Sequence, residues 1–220
     1  MMTASRRALA EAGRARVRPP PSIRYDAVVT PPLFLLILGL ALFLGAHLVP
    51  VAVPLRNAWI ARAGEQRYKG LFTVASLAGF ALIVAGYYFG ERGPQLFAPS
   101  PTARAVAPEA MTLSFILLAA ANMRGYLRHT LKHPMLLGVL LWSFVHLLAN
   151  GDLRGTILFG AFFAWAVVDL VSAIARRAVK SFVPSVRFDV MAIVGGIVLA
   201  GVVMFAHRWL FGVRVVSFGA

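Results

Sequence analysis

Stretches of close to 20 apolar residues recur along this chain between short polar connectors, and no other feature constrains its fold as tightly. In hydrocarbon every backbone N–H and C=O must find a partner within the protein, so each stretch is expected to be a helix. Composition agrees: 60% of the 220 residues are hydrophobic and 14% are charged, against roughly 45–50% and 25% in soluble domains. The reading is an all-α, polytopic membrane helical bundle of about six transmembrane helices. It forms one domain over residues 31–212, with a tail over 1–30 before it and a short tail over 213–220 after it.

The first span is read from about Leu33 to Val53, where Pro54 and Arg56 follow, and the second from Leu71 to Phe89 after the polar stretch Arg62–Lys69. A Pro- and Gly-rich connector, Glu91 to Pro108, leads to a third span over Ala110–Met123. The fourth opens at Pro134, a favourable first-turn residue, and ends near Leu148. Asn150-Gly151-Asp152 reads as a tight turn, with Asp152 as cap of the fifth span, Thr156–Ile174. The sixth is Val190–Leu210, where Gly195-Gly196 suits packing or bending. The N-terminal tail holds six arginines and the run Pro19-Pro20-Pro21 without an apolar period, and is read as disordered or surface-bound.

The net charge of +14 is read as membrane topology rather than nucleic-acid binding, because Lys and Arg lie between the apolar runs and no basic stripe with interleaved aromatics occurs. The connectors after spans one, three and five carry 11 Lys and Arg, and the others with the C-terminal tail carry 5. This places the first set in the cytoplasm, while the tail arginines count the other way. The absence of Cys removes thiolate metal sites, iron–sulfur clusters and covalent haem attachment. No nucleophile–base motif, phosphate-cradling loop or H-E-x-x-H assigns a catalytic residue, so whether the chain is an enzyme stays open.

Ionisable side chains within spans are costly and therefore candidates for function. His47 sits in Phe43-Leu44-Gly45-Ala46-His47, where Ala41 and Gly45 form a small-xxx-small pair that suits close approach of another helix. His146 sits in Trp142-Ser143-Phe144-Val145-His146, with Asn150 one turn on along the same face. Neutral imidazoles on two different helices suit axial ligation of haem iron, and they equally suit hydrogen bonding between helices. Asp169 in the fifth span is expected to pair with Arg176 or Arg177. His129 and His133 are spaced to grip a metal if helical, though Arg128 and Lys132 beside them favour an interfacial role towards lipid phosphate. His207, beside Arg208 and Trp209, reads as an interface anchor.

The order of motifs adds to this. The first-span histidine is followed by Arg56, then by Arg67-Tyr68-Lys69-Gly70-Leu71-Phe72, Ser76-Leu77 and Gly86-Tyr87. His133-Pro134-Met135-Leu136-Leu137-Gly138 follows, and the segment Trp142 to Asp152 comes last. Over about residues 33–175 this set resembles the NnrU family, which also contains the plant-type 15-cis-zeta-carotene isomerase. The resemblance implies a bacterial inner-membrane protein associated with denitrification and with nitric-oxide reductase. Its partners would be the lipid bilayer and either that reductase system or a hydrophobic small molecule. The isomerase relatives hold haem b between two histidines. The matching positions are His47 and His146 as ligands of the haem iron, with Asn150, Trp142 and Arg56 as further cofactor-site residues.

Departures qualify what is carried over. Ser143 stands where the isomerase has a Cys that serves a redox-dependent ligand switch, and Leu48 stands where the family often has Ser. The sixth span lies outside the motifs read. The expected function is thus NnrU-like haem-b binding in support of nitric-oxide metabolism. Two alternatives are a haem-dependent cis–trans isomerase of a polyene and a membrane methyltransferase or reductase using His133-Pro134.

Overall fold

The computed structural model describes residues 30–213 and 215 and, among them, only helices and connecting segments. The tail read over residues 1–30 therefore lies, apart from Thr30, outside the described residues, as does most of the C-terminal tail. Helix α1 (Pro31–Leu48) starts where the Thr30 hydroxyl accepts the N–H of Leu33 at 3.4 Å and two prolines occupy first-turn positions that need no N–H partner. It stops at Leu48, short of the expected Val53, because Pro50 has no N–H to give the carbonyl of Ala46 and so cannot continue the ladder. His47 consequently lies in the last turn of α1.

The polar connector after it is itself helical. Helix α2 (Val53–Ala63) and helix α3 (Glu65–Phe89) are separated only by Gly64, whose φ of +82° breaks the path. Arg, Ala, Gln and Glu are good helix formers, and the Lys69 ammonium sits 2.8 Å from Glu65 one turn away. The Pro- and Gly-rich connector likewise contains a helix: α4 (Pro101–Ala105) precedes α5 (Ala107–Ala120), which carries the third span, and the two are parted at Val106, where Pro108 offers no N–H to the carbonyl of Arg104. Helix α6 (Tyr126–Leu131) is a short turn whose first N–H groups, on Tyr126 and Leu127, are taken by the Asp189 carboxylate at 2.8 and 2.9 Å. Helices α7 (Pro134–Asn150), α8 (Leu153–Ala175) and α9 (Val186–Phe211) complete the chain.

Four of these, α1, α3, α8 and α9, are long and apolar enough to cross a membrane. The other two apolar helices, α5 and α7, are shorter at 14 and 17 residues, about 21 and 25 Å of rise against a hydrocarbon core of about 30 Å. The six apolar helices pack in the spatial order α3–α1–α8–α7–α5–α9. Apolar side chains cover the outward faces of the two ends of this row, including Leu71, Val74 and Leu77 on α3 and Val194, Val198 and Val202 on α9. Such faces suit lipid rather than water.

The α1–α3 contact is made backbone to backbone. A Cβ on Gly79 would lie 2.7 Å from the N atom of Phe43, and one on Gly39 2.6 Å from that of Ile83. The pair expected to serve this purpose, Ala41 and Gly45, does not: nothing lies within 4 Å of a Cβ at Gly45, and both residues line a cavity instead. Gly196 packs on the backbone of Ile116 while Gly195 faces open space, which splits the glycine pair read in the sixth span.

The connector 90–100 is clipped over the turn joining α7 to α8. Gly151, with φ +73°, accepts from Leu96 N–H at 2.8 Å, and the carbonyls of Leu148 and Ala149 accept from Ser100 N–H and the Arg104 side chain at 2.9 and 3.0 Å. Asp152 caps α8 as expected, its carboxylate accepting the N–H of Gly155 at 2.8 Å. Arg154 closes α3 from across the bundle. Its guanidinium donates to the carbonyls of Tyr87, at 2.6 Å, and Gly90, and lies over the Tyr87 ring at 4.1 Å. A charged donor on helix-terminal carbonyls is worth roughly 1.5–3 kcal/mol per bond. Arg154→Met is therefore expected to destabilise the protein by about 2–3 kcal/mol, measured by unfolding in detergent; a loss below about 0.5 kcal/mol would contradict this capping role.

Candidate functional site

Two histidines repeat one local arrangement. In α1 and in α7 an aromatic residue stands four positions before the histidine, which puts both side chains on one face of the helix. The Nδ1 of His47 lies 2.8 Å from the carbonyl oxygen of Phe43, and the Nδ1 of His146 lies 2.9 Å from that of Trp142. A carbonyl can only accept, so Nδ1 carries the proton in both rings and Nε2 keeps a free lone pair. Each ring also packs against its aromatic partner, His47 on Phe43 at 4.3 Å and His146 near Trp142 at 5.5 Å.

Helix α8 joins the two. Phe159, Phe162 and Trp165 recur at three-residue spacing and form a wall facing both histidine helices. Phe159 lies 4.8 Å from His146, and Trp165 stands edge-on to His47 at 5.8 Å. From His47 a continuous path of rings runs through Phe43, Phe162 and Trp142 to His146, with steps of 4.3, 5.9, 5.4 and 5.5 Å. Phe72 of α3 adds a further wall beside His47 at 5.0 Å. The Trp165 Nε1–H is buried in this seam without an acceptor. The α8 wall was not singled out from the sequence, although its periodicity on one helix face was the signal that could have revealed it.

The other expected site residues divide. Trp142 belongs to the seam. Asn150 lies on the His146 face, but its amide donates to the backbone carbonyl of His146 at 2.7 Å and so secures the end of α7 rather than the ring. Arg56 sits on α2 with its guanidinium 5.8 Å from the Tyr68 ring, away from the seam. Asp169 faces Arg176 at 3.9 Å, the pairing expected for it. His129 and His133 do not share a helix, because the chain turns at Lys132, and no group of three or more metal-holding side chains forms among the described residues. His207 lies near the C-terminal end of α9, with Nδ1 3.0 Å from the Val213 carbonyl.

Ser143 is fully buried, and its hydroxyl donates to the carbonyl of Val139 at 2.7 Å. It is thus turned onto its own helix, where a back-bond adds little to an existing ladder. Ser143→Ala is expected to change stability by less than about 1 kcal/mol in a detergent unfolding measurement; a larger loss would show that the hydroxyl has a partner beyond its own helix.

For haem as a possible occupant, the donor chemistry fits. Each histidine is held by its Nδ1–H with Nε2 free, as a ligand histidine is, and the unpaired Trp165 donor offers a hydrogen bond to a polar group bound nearby. The packing seen here places aromatic rings along the path between the two donors. Sharing one iron would require Phe162 and Trp142, which stand on the path between the two rings, to move aside.

The fold and this seam together define a polytopic helical membrane protein with two tautomer-fixed histidines in an aromatic interior. The chain belongs to the NnrU family: the family model, described as NnrU protein, matches residues 35–215. The match continues past residue 175, so the last helix, set outside the motifs read from the sequence, is part of the family region. No curated protein and no solved structure matches the chain.

Proposed function

We propose that this NnrU-family protein binds haem b in the seam between α1, α7 and α8, with His47 and His146 as the donor side chains, in support of nitric-oxide metabolism in a bacterial inner membrane. The observation that carries the reading is the twofold use of one arrangement: an Nδ1–H anchored on the carbonyl four residues back, leaving Nε2 open. The aromatic walls exclude water, and Trp165 supplies a hydrogen-bond donor that the protein itself leaves unused. Haem held by neutral imidazole supplies one-electron chemistry or capture of a diatomic gas such as nitric oxide. The association of the family with denitrification supports that setting. The test is an absorption spectrum of the full chain, purified after haem-replete expression: a Soret band at near-stoichiometric haem is expected, and its absence overturns the reading.

A second reading, isomerisation of a polyene, is favoured by one observation. An apolar cavity of about 350 Å³ lies between α1, α2 and α3, walled by Phe72 next to His47. Ser143, turned onto its own helix, supplies no thiolate for a ligand switch. If reduced, haem-loaded protein returns cis-zeta-carotene unchanged, the isomerase reading fails.

A further inference from the structure

A second cleft, of about 740 Å³, opens at the end of the bundle where α5 and α8 finish and α7 begins. Its lining includes Arg128, His129, Lys132, His133 and Lys180 and contains no Asp or Glu. Among the described residues, none of these five side chains makes a hydrogen bond or an ion pair. Phe182 gathers two of them, with the Arg128 guanidinium 5.3 Å from its ring and His129 edge-on at 6.2 Å.

The backbone concentrates charge further. Lys132 has φ +62° and ψ −47°, and the His133 N–H donates to the Leu131 carbonyl at 2.7 Å, which makes Leu131-Lys132-His133 a γ-turn of the rare, strained hand. The turn sets two basic side chains in succession at the head of α7. That helix starts without a side-chain cap, and Met135 and Leu136 of its first turn line the same cleft. The positive end of the helix therefore adds to the cations. Like charges brought together in one cleft repel, and a bound anion relieves the repulsion. Phosphate, with several acceptor oxygens and up to two charges, matches such a cluster.

We propose that this cleft binds a phosphate group, carried by an anionic lipid or by a soluble phosphate. The apolar part of the lining, with Pro134, Leu136 and Val179, suits the acyl portion of a lipid. The cleft also lies on the end of the bundle whose connectors carry 11 Lys and Arg against 5 at the other, a bias that suits contact with anionic headgroups.

The full chain is tested in nanodiscs of phosphatidylglycerol and of phosphatidylcholine, with retained lipid counted by native mass spectrometry, and in detergent with pyrophosphate by calorimetry. Preferential retention of phosphatidylglycerol identifies lipid as the carrier. Pyrophosphate binding without that preference identifies a soluble carrier. The triple variant Arg128→Gln/Lys132→Gln/Lys180→Gln is expected to weaken whichever binding is seen by about tenfold or more. Arg62→Gln/Arg67→Gln/Arg187→Gln, which removes equal charge at the same end of the bundle, is expected to leave it within about twofold. Absence of both kinds of binding in the wild-type chain, or equal loss in the two variants, overturns the proposal; the wild-type arm needs no variant to fold.

Discussion

The double variant His47→Ala/His146→Ala is expected to emerge from haem-replete expression with its Soret absorbance per protein reduced at least about tenfold. The expectation follows from the donors available. The chain has no Cys, Ser143 turns its hydroxyl to Val139, and Asn150 turns its amide to the carbonyl of His146. With both imidazoles gone, no donor held in the seam replaces them. Each single variant keeps one anchored Nε2 and should retain haem with a high-spin, five-coordinate spectrum. Wild-type protein should show a low-spin component only to the extent that both rings reach one iron. Phe162→Ala removes one of the rings on the path between them and should raise that component. His129→Ala and His207→Ala, whose rings lie outside the seam, should leave the spectrum unchanged. A double variant with the wild-type ratio of Soret to protein absorbance would falsify the assignment.

The second large effect concerns how the seam is built. Gly79→Leu is expected to destabilise the bundle by about 3 kcal/mol or more, at the upper end for overpacking, because the added side chain meets backbone rather than a movable side chain. The nearest atoms are N, Cα and Cβ of Phe43, at 2.7 to 2.9 Å from the Cβ position. Phe43 stacks on His47 and its carbonyl takes the Nδ1–H, so parting α1 from α3 there also disturbs the donor ring. Gly45→Leu is the matched comparison. Nothing lies within 4 Å of its Cβ, and it borders the apolar cavity, so it should cost less than about 1 kcal/mol. Detergent unfolding of the two variants decides between them: equal losses would show that the close contact lies elsewhere.

These contrasts mark how much of the site was legible beforehand. His47 and His146 stood out because an imidazole in an apolar helix is costly whatever surrounds it. Asn150 and Arg56 were read alongside them from order along the chain, yet one secures a helix end and the other lies over Tyr68. Order along the chain carries no information about which side-chain atom meets which backbone atom. The Ala41/Gly45 spacing is as good a small-xxx-small pattern as the glycines that take the contact. Only the rotation of α1 about its axis distinguishes them, and α3 sets that rotation.

By itself the sequence determined the features that act over a turn or two of helix. Apolar runs in lipid must be helical, and Pro134 and Asp152 mark helix starts, because backbone hydrogen bonding is a local requirement. Tertiary structure alone decided that the two histidines look onto one wall of α8, that Arg154 closes a helix 64 residues before it, and that Arg128, Lys132 and Lys180 share a cleft with two further histidines. Those outcomes depend on the depth and rotation at which separate helices meet. Packing between surfaces distant in the chain sets both, and no local pattern encodes it.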